Sequence, residues 1–184
     1  MAAKVKFSGR ALFLRAFVAV ICCCSASYGQ NADRHRLGGE ISIPSLINTA
    51  ELKRLISERH GRVLFLNVWA TWCEPCTQEF PDIIKLSAAY SKRAVDFVAV
   101  SVDYPDEAKS KVLPFMRDHN IRFPVYVADA KHQDDFINAL DSSWSGAVPA
   151  SFIFDTLGEQ RTLLIGQKNF AIFKTEIDTV LNFR

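Results

Sequence analysis

The chain has 184 residues, of which 49% are hydrophobic and 23% are charged. This composition is too apolar for a disordered protein, and the length suits one globular domain that buries about two-thirds of its unfolded surface. The formal net charge is only +2, so the sequence carries no broad basic field and no nucleic-acid partner is expected.

Residues 1–29 have the order of regions that is typical of a secretory signal peptide. Four basic residues and no acidic residue accompany a short apolar run that ends in three cysteines at residues 22–24. The run is about half as long as a membrane span, so cleavage after Ala26 or Gly29 is predicted rather than an uncleaved anchor. Lipid attachment at one of the three cysteines is the alternative. Cleavage would leave two of the five cysteines and, with 18 basic and 20 acidic residues, a net charge of −2.

The remaining chain is interpreted as one domain over residues 40–184, preceded by a polar, flexible lead-in at residues 30–39. Strands are predicted at residues 41–43, 63–70, 96–103, 123–128, 151–155 and 161–166. Helices are predicted from the capping-box residue Asn48 and at residues 73–92, 106–119, 132–140 and 169–182. Pro114 predicts that the helix over 106–119 is kinked or begins late. The alternation predicts an α/β fold with helices on both faces of a sheet that the final hairpin makes mixed.

The sequence Trp72-Cys73-Glu74-Pro75-Cys76 lies between a predicted buried strand and a predicted helix. At a helix N-terminus, free N–H groups and the helix dipole stabilise a thiolate, which is the attacking species, so Cys73 is the candidate nucleophile. Cys76 follows one turn later and can resolve a mixed disulfide, so the pair needs no bound cofactor. A structural disulfide and half of a zinc site are alternatives. Zinc requires four ligands that the mature chain does not supply, and no metal is expected.

The segment at residues 63–81 resembles the active site of the thioredoxin superfamily, and within it the exported TlpA/ResA group of thiol–disulfide oxidoreductases. The residues that match this group are Asn67, Trp69, Ala70, Trp72, Cys73, Glu74, Pro75, Cys76, Glu79 and Pro81. The likeness extends more loosely over residues 40–183 and implies the thioredoxin fold. The gap between Cys76 and Pro149 is longer than in minimal thioredoxins, which fits the strand–helix insertion of this group at residues 123–140.

The resemblance also implies a role for Glu79, which shares a helical face with Cys76. A glutamate at this position in the group tunes the cysteines and moves protons. The alternative is an ordinary acidic residue of an early helical turn that interacts with the helix dipole. Asn67 stands where thioredoxin has a buried aspartate, which makes Glu79 the candidate proton carrier.

Substrate contacts are implied around the two cysteines. Pro149 is implied to form a cis peptide bond that presents the backbone of Val148 to a bound substrate segment. Trp72 is expected to be an exposed contact surface, with Glu74 and Pro75 beside it. The carboxylate between the cysteines disfavours a thiolate, and strong oxidants stabilise their reduced form, so the sequence favours a reductant.

These residues together predict an exported disulfide reductase in which Cys73 attacks, Cys76 resolves and Glu79 assists proton transfer. The resemblance implies disulfide-containing exported proteins as substrates, apocytochrome c among them, and a membrane thiol reductase as electron donor. The expected location is the periplasm or the outer face of a bacterial membrane, with a lipid anchor as the alternative.

Two other functions remain as alternatives. A thiol peroxidase of the peroxiredoxin type shares the fold, but its Thr-x-x-Cys setting is not matched, because Thr71 lies only two residues before Cys73. A copper-binding module would use Cys73 and Cys76 as soft ligands.

Overall fold

The computed structural model describes residues 41–129 and 133–183, so the predicted signal peptide and lead-in lie outside the described residues. The strands are β1 (Ser45–Ile47), β2 (Val63–Trp69), β3 (Val95–Ser101), β4 (Val125–Ala128), β5 (Ala150–Phe154) and β6 (Gln160–Ile165). The helices are α1 (Thr49–Ser57), α2 (Glu74–Ala89), α3 (Leu113–Asp118), α4 (Gln133–Leu140) and α5 (Phe170–Asn182).

The six described strands form one mixed sheet in the order β1-β4-β3-β2-β5-β6. The first four in this order run parallel, while β5 pairs antiparallel with β2, and β6 with β5. The predicted α/β architecture with a mixed sheet is confirmed, and β4 and α4 occupy the predicted insertion. Every residue of β2 is buried, because this strand lies inside the sheet with helices over both faces.

The two faces of the sheet bury separate hydrophobic clusters. Alternate residues of β2 divide between them, with Phe65 and Trp69 on the face covered by α2, α3 and α5. Leu64 and Leu66 lie on the opposite face, which α1 and α4 cover. Asn67 occupies the same face as Phe65 and Trp69, so it places a polar side chain among apolar ones under α2.

The helix starts agree with the sequence patterns. Asn48 caps α1, and it and Glu51 exchange side chain-to-backbone hydrogen bonds of 3.0 Å in both directions. Pro114 lies at the second position of α3, directly after a π-helical turn, and has no N–H group to donate to that turn. The chain reaches α3 through a 3₁₀ turn (Pro105–Glu107) and a π-helical turn (Ala108–Val112). The α-helix therefore begins late, which agrees with the prediction of a late or kinked helix.

The strand predicted at residues 41–43 is wrong. The strand is β1, and its register pairs Ser45 with Tyr126 and ends at Ile47. Continuing this ladder backwards would place residue 43 opposite Pro124, and both Pro124 and the intervening Pro44 lack an N–H group to donate. Within the described residues, no helix is both long enough and apolar enough to cross a lipid bilayer.

Candidate active site

A disulfide joins Cys73 and Cys76 at the junction of β2 and α2, with an Sγ–Sγ distance of 2.02 Å. Cys73 is the N-cap residue of α2, and Cys76 lies in its first turn. The N–H of Cys73 donates to the carbonyl of Ala70 at 3.2 Å, and its own carbonyl accepts from the N–H of Thr77 at 3.1 Å. Cys73 is 6% exposed, whereas Cys76 is fully buried, so solvent reaches the first cysteine only.

The loop before the disulfide is held by Asp103, a buried residue that the sequence reasoning missed. Its Oδ2 accepts the backbone N–H of Thr71 at 2.9 Å, and its Oδ1 accepts the hydroxyl of Thr71 at 2.5 Å. The hydroxyl of Ser101 donates to the same carboxylate at 2.5 Å. Strand topology could have indicated this contact. Thr71 and Asp103 follow the ends of two parallel neighbouring strands, and such ends lie at the same edge of a sheet.

Glu79 lies on the buried face of α2, one turn after Cys76, and is only 2% exposed. Its Oε1 accepts a hydrogen bond from Nδ2 of Asn67 at 2.9 Å, and its Oε2 accepts one from the backbone N–H of Lys168 at 3.0 Å. The same Nδ2 donates to the hydroxyl oxygen of Ser151 at 3.0 Å. Three segments, namely β2, α2 and the β6–α5 loop, therefore meet at this carboxyl group, and β5 is joined to it through Asn67.

Burial dominates the electrostatics of this carboxyl group. It raises the pKa of Glu79 from its ordinary value of 4.5 to about 7, while the hydrogen bonds from Lys168 and Asn67 act in the opposite direction. A group whose pKa lies near neutrality can both accept and release a proton under physiological conditions. The arrangement is therefore suited to proton exchange with a neighbouring thiol.

The Val148–Pro149 peptide bond is cis, as the resemblance implied. Pro149 is buried and Val148 half-buried, and Val148 packs against the hydrophobic cluster that contains both cysteines. The carbonyl of Pro149 accepts the N–H of Gly166 at 2.8 Å. On the other side, the buried indole of Trp144 donates from Nε1 to the carbonyl of Ala147 at 3.0 Å. The loop that carries Val148 is thus held from two directions.

The predicted contact residues beside the disulfide face solvent. Trp72 is 63% exposed, and Glu74 and Pro75 are also exposed. A second aromatic residue, Tyr104, is 68% exposed directly after Asp103, at the same edge of the sheet. Among the described residues, no group of three or more His, Cys, Asp or Glu side chains is placed to hold a metal ion.

Comparison with known proteins agrees with this geometry. Residues 45–176 match the model of the family described as Redoxin. The thiol–disulfide oxidoreductase ResA of Geobacillus kaustophilus is 33% identical over 60% of this chain, and the match spans 59% of that relative. ResA of Bacillus subtilis is 29% identical over 85% of this chain and 86% of its own length. A crystal structure of a thiol:disulfide interchange protein of the thioredoxin family from Chlorobium tepidum TLS is 26% identical, with a TM-score of 0.58, and the match covers 67% of this chain and 83% of that chain.

Proposed function

This chain belongs to the Redoxin family and has the thioredoxin fold, and we propose that it acts as an exported protein disulfide reductase. It is a TlpA/ResA-like thiol–disulfide oxidoreductase. The observation that carries the proposal is the Cys73–Cys76 disulfide at the start of α2, one turn from the buried carboxyl group of Glu79.

In the proposed first step, the reduced enzyme presents Cys73 as a thiolate at the N-terminus of α2. This thiolate attacks one sulfur of a substrate disulfide, and a mixed disulfide with Cys73 forms while the other substrate sulfur leaves as a thiolate. The helix dipole and the free N–H groups of the first turn stabilise the negative charge on Cys73 before the attack. Cys73 takes this role because it is the more accessible of the two cysteines.

In the second step, Glu79 as a carboxylate takes the proton from the thiol of Cys76. The resulting Cys76 thiolate attacks Cys73 in the mixed disulfide, which closes the protein disulfide and releases the second substrate thiolate. That thiolate then takes the proton from Glu79, while the thiolate released in the first step takes from solvent the proton that Cys73 gave up on ionising, so two substrate thiols and one oxidised enzyme result. A pKa of about 7 at Glu79 suits this relay, because the group must accept a proton and return it.

The residue between the cysteines supports the reducing direction. Glu74 is exposed in the first turn of α2, between Cys73 and Cys76. Its negative charge opposes a nearby thiolate, whereas a strong oxidant must stabilise its thiolate form. The charge of Glu74 therefore favours the disulfide form of Cys73 and Cys76 over their reduced form. A protein that donates electrons requires this preference.

The location and partners form part of the same proposal. The basic and then apolar order of residues 1–29 supports export, followed by cleavage or by lipid attachment. Outside the cytoplasm, the substrates would be exported proteins that carry disulfides, including apocytochrome c, and a membrane thiol reductase would restore the dithiol. The exposed Trp72 and the held loop at Val148 and Pro149 would contact the substrate on two sides of the disulfide.

The experiment compares insulin-disulfide reduction by the full chain, the Cys73→Ala variant and the Cys23→Ala variant. The first substitution is expected to abolish reduction. The second removes a cysteine outside the active pair and is expected to leave the rate unchanged. Equal rates for the wild type and Cys73→Ala would overturn the proposal. Peroxide consumption by the same preparations tests the thiol peroxidase alternative.

The physiological substrate is sought with the Cys76→Ser variant. Without the resolving thiol, the mixed disulfide on Cys73 persists, and the trapped protein can be isolated from cells and identified. Trapped exported proteins would support the proposed location. Exclusively cytoplasmic partners would contradict it.

A further inference from the structure

A buried oxygen atom without a partner lies beside the proposed proton carrier. Asn67 is fully buried, and its Oδ1 accepts no hydrogen bond from the residues that the structure describes. Its Nδ2, in contrast, donates two hydrogen bonds, to Glu79 at 2.9 Å and to Ser151 at 3.0 Å. Because Oδ1 has no partner among these residues, exchanging the two ends of this amide breaks no hydrogen bond made by that oxygen.

The position of Asn67 in the sheet ties it to Glu79. On the same face of β2 its neighbours are Phe65 and Trp69, both fully buried, and among the described residues the indole Nε1 of Trp69 also has no hydrogen-bond partner. Directly across the ladder, its partner on β5 is Ser151, which is also polar and 2% exposed. We call Asn67 and Ser151 the polar pair. An apolar pair would fill this layer more simply, so the polar pair is explained by the carboxyl group that it faces.

We propose that Asn67 is a positioning residue that holds Glu79 in both protonation states by turning its side-chain amide over when the carboxyl group gains a proton. With the carboxylate, Nδ2 donates to Oε1, as the structure shows. With the acid, the new O–H group needs an acceptor, and a half-turn of the amide brings Oδ1 to it. The hydroxyl of Ser151 serves both arrangements, because it accepts from Nδ2 in the first and donates to Oδ1 in the second.

Among the described residues, the groups hydrogen-bonded to Glu79 are the amide of Asn67 and the backbone N–H of Lys168, and of these two only Asn67 carries an acceptor that can turn to it. On α2, Cys76 lies one turn before it and Asp82 one turn after it. From the β6–α5 loop, Lys168 faces it with a backbone N–H, which can only donate, while its ammonium group donates to the carbonyls of residues 165–167. Among the described residues, β2 and β5 face it with the neutral polar pair. The raised pKa of Glu79 is consistent with two states that are both populated near neutral pH.

The inference rests on the proposed function, since it concerns the residue proposed to carry the proton. It is tested by NMR on the oxidised full chain, labelled with ¹⁵N and with ¹³C at glutamate carboxyl groups, over a pH titration. The carboxyl signal of Glu79 reports its protonation. The nuclear Overhauser effect between the amide protons of Asn67 and the β-protons of Ser151 reports which way the amide points. The amide signals are assigned by their loss in Asn67→Leu, or in Asn67→Asp if the first variant does not fold.

The expected result is that this Overhauser effect is strong above the Glu79 midpoint and is largely lost below it. The amide of Asn169, the cap of α5, serves as the internal control and should not follow that midpoint. An Overhauser effect that persists unchanged while Glu79 titrates would overturn the inference, because a merely structural amide does not turn. The insulin assay of Glu79→Gln is independent, since an unchanged rate there would refute the relay and leave the behaviour of the amide intact.

Discussion

Replacing Glu79 by glutamine should remove a pH dependence from the stability of the oxidised protein. Burial raises the pKa of this carboxyl group from 4.5 to about 7 in the folded chain. The folded state therefore holds the proton more tightly than the unfolded state does. The resulting stabilisation is fully present below about pH 4.5 and is lost as the pH rises through about 7.

The magnitude follows from the same two values. The rise from 4.5 to about 7 spans about 2.5 pH units, and at about 1.4 kcal/mol per unit it corresponds to about 3 kcal/mol. Glutamine does not ionise, so it lacks this dependence. Its amide group also cannot accept from both Asn67 and Lys168, but the cost of that lost hydrogen bond is the same at every pH. The informative quantity is therefore the change with pH in the stability difference between the two proteins.

The assay is urea unfolding of the oxidised full chain and of Glu79→Gln between about pH 4.5 and pH 7.5. The wild type is expected to lose about 3 kcal/mol relative to the variant across this interval. Glu74→Gln is the matched control, because it changes an exposed glutamate of the same helix and should run parallel to the wild type. Parallel curves for the wild type and Glu79→Gln would refute the reasoning.

Three further predictions concern the proposed substrate contact at Trp72, the loop held by Asp103 and the hydrophobic core around Phe80. Trp72→Ala should lower kcat/KM for insulin more than for oxidised glutathione, whereas Leu157→Ala, which changes a still more exposed apolar residue on the hairpin, should alter neither rate. Asp103→Ala should lower the free energy of unfolding by about 1–3 kcal/mol and speed hydrogen exchange at the Thr71 amide; an unchanged exchange rate would contradict its role in holding the loop. Phe80→Ala removes a fully buried ring and should cost about 3–5 kcal/mol in urea unfolding, so a loss below about 1 kcal/mol would contradict the packing.

The features that the sequence predicts well are those that depend on neighbouring residues. The capping box of Asn48 and Glu51 needs only a three-residue spacing, and the structure contains both of its hydrogen bonds. The buried strand β2 and the junction that carries Cys73 and Cys76 follow from an apolar run that meets a helix start. The error at residues 41–43 has the opposite origin, because the extent of an edge strand depends on which part of β4 lies opposite it.

The partners of the site residues come from distant parts of the chain, which explains why the sequence does not reveal them. Ser151 lies 84 residues from Asn67, and Lys168 lies 89 residues from Glu79. The thioredoxin likeness implied that a glutamate would act at residue 79, but not which groups would hold it. One signal was visible, because Asn67 interrupts a strand that is otherwise apolar on both faces. Such a break in a local rule is expected at functional sites.

One physical cause connects the stability of this protein with its chemistry. In the proposed relay, a carboxyl group needs a pKa near neutrality to take a proton from Cys76 and return it, and in this chain burial under α2 raises the pKa of Glu79 to about 7. The same burial destabilises the folded state once the group ionises. The stability of Glu79→Gln relative to the wild type should therefore rise as the pH increases towards neutrality, while the variant loses the proposed proton carrier. If this relative stability rises with pH and the rate of insulin reduction falls in the same variant, both effects have their origin in one buried carboxylate.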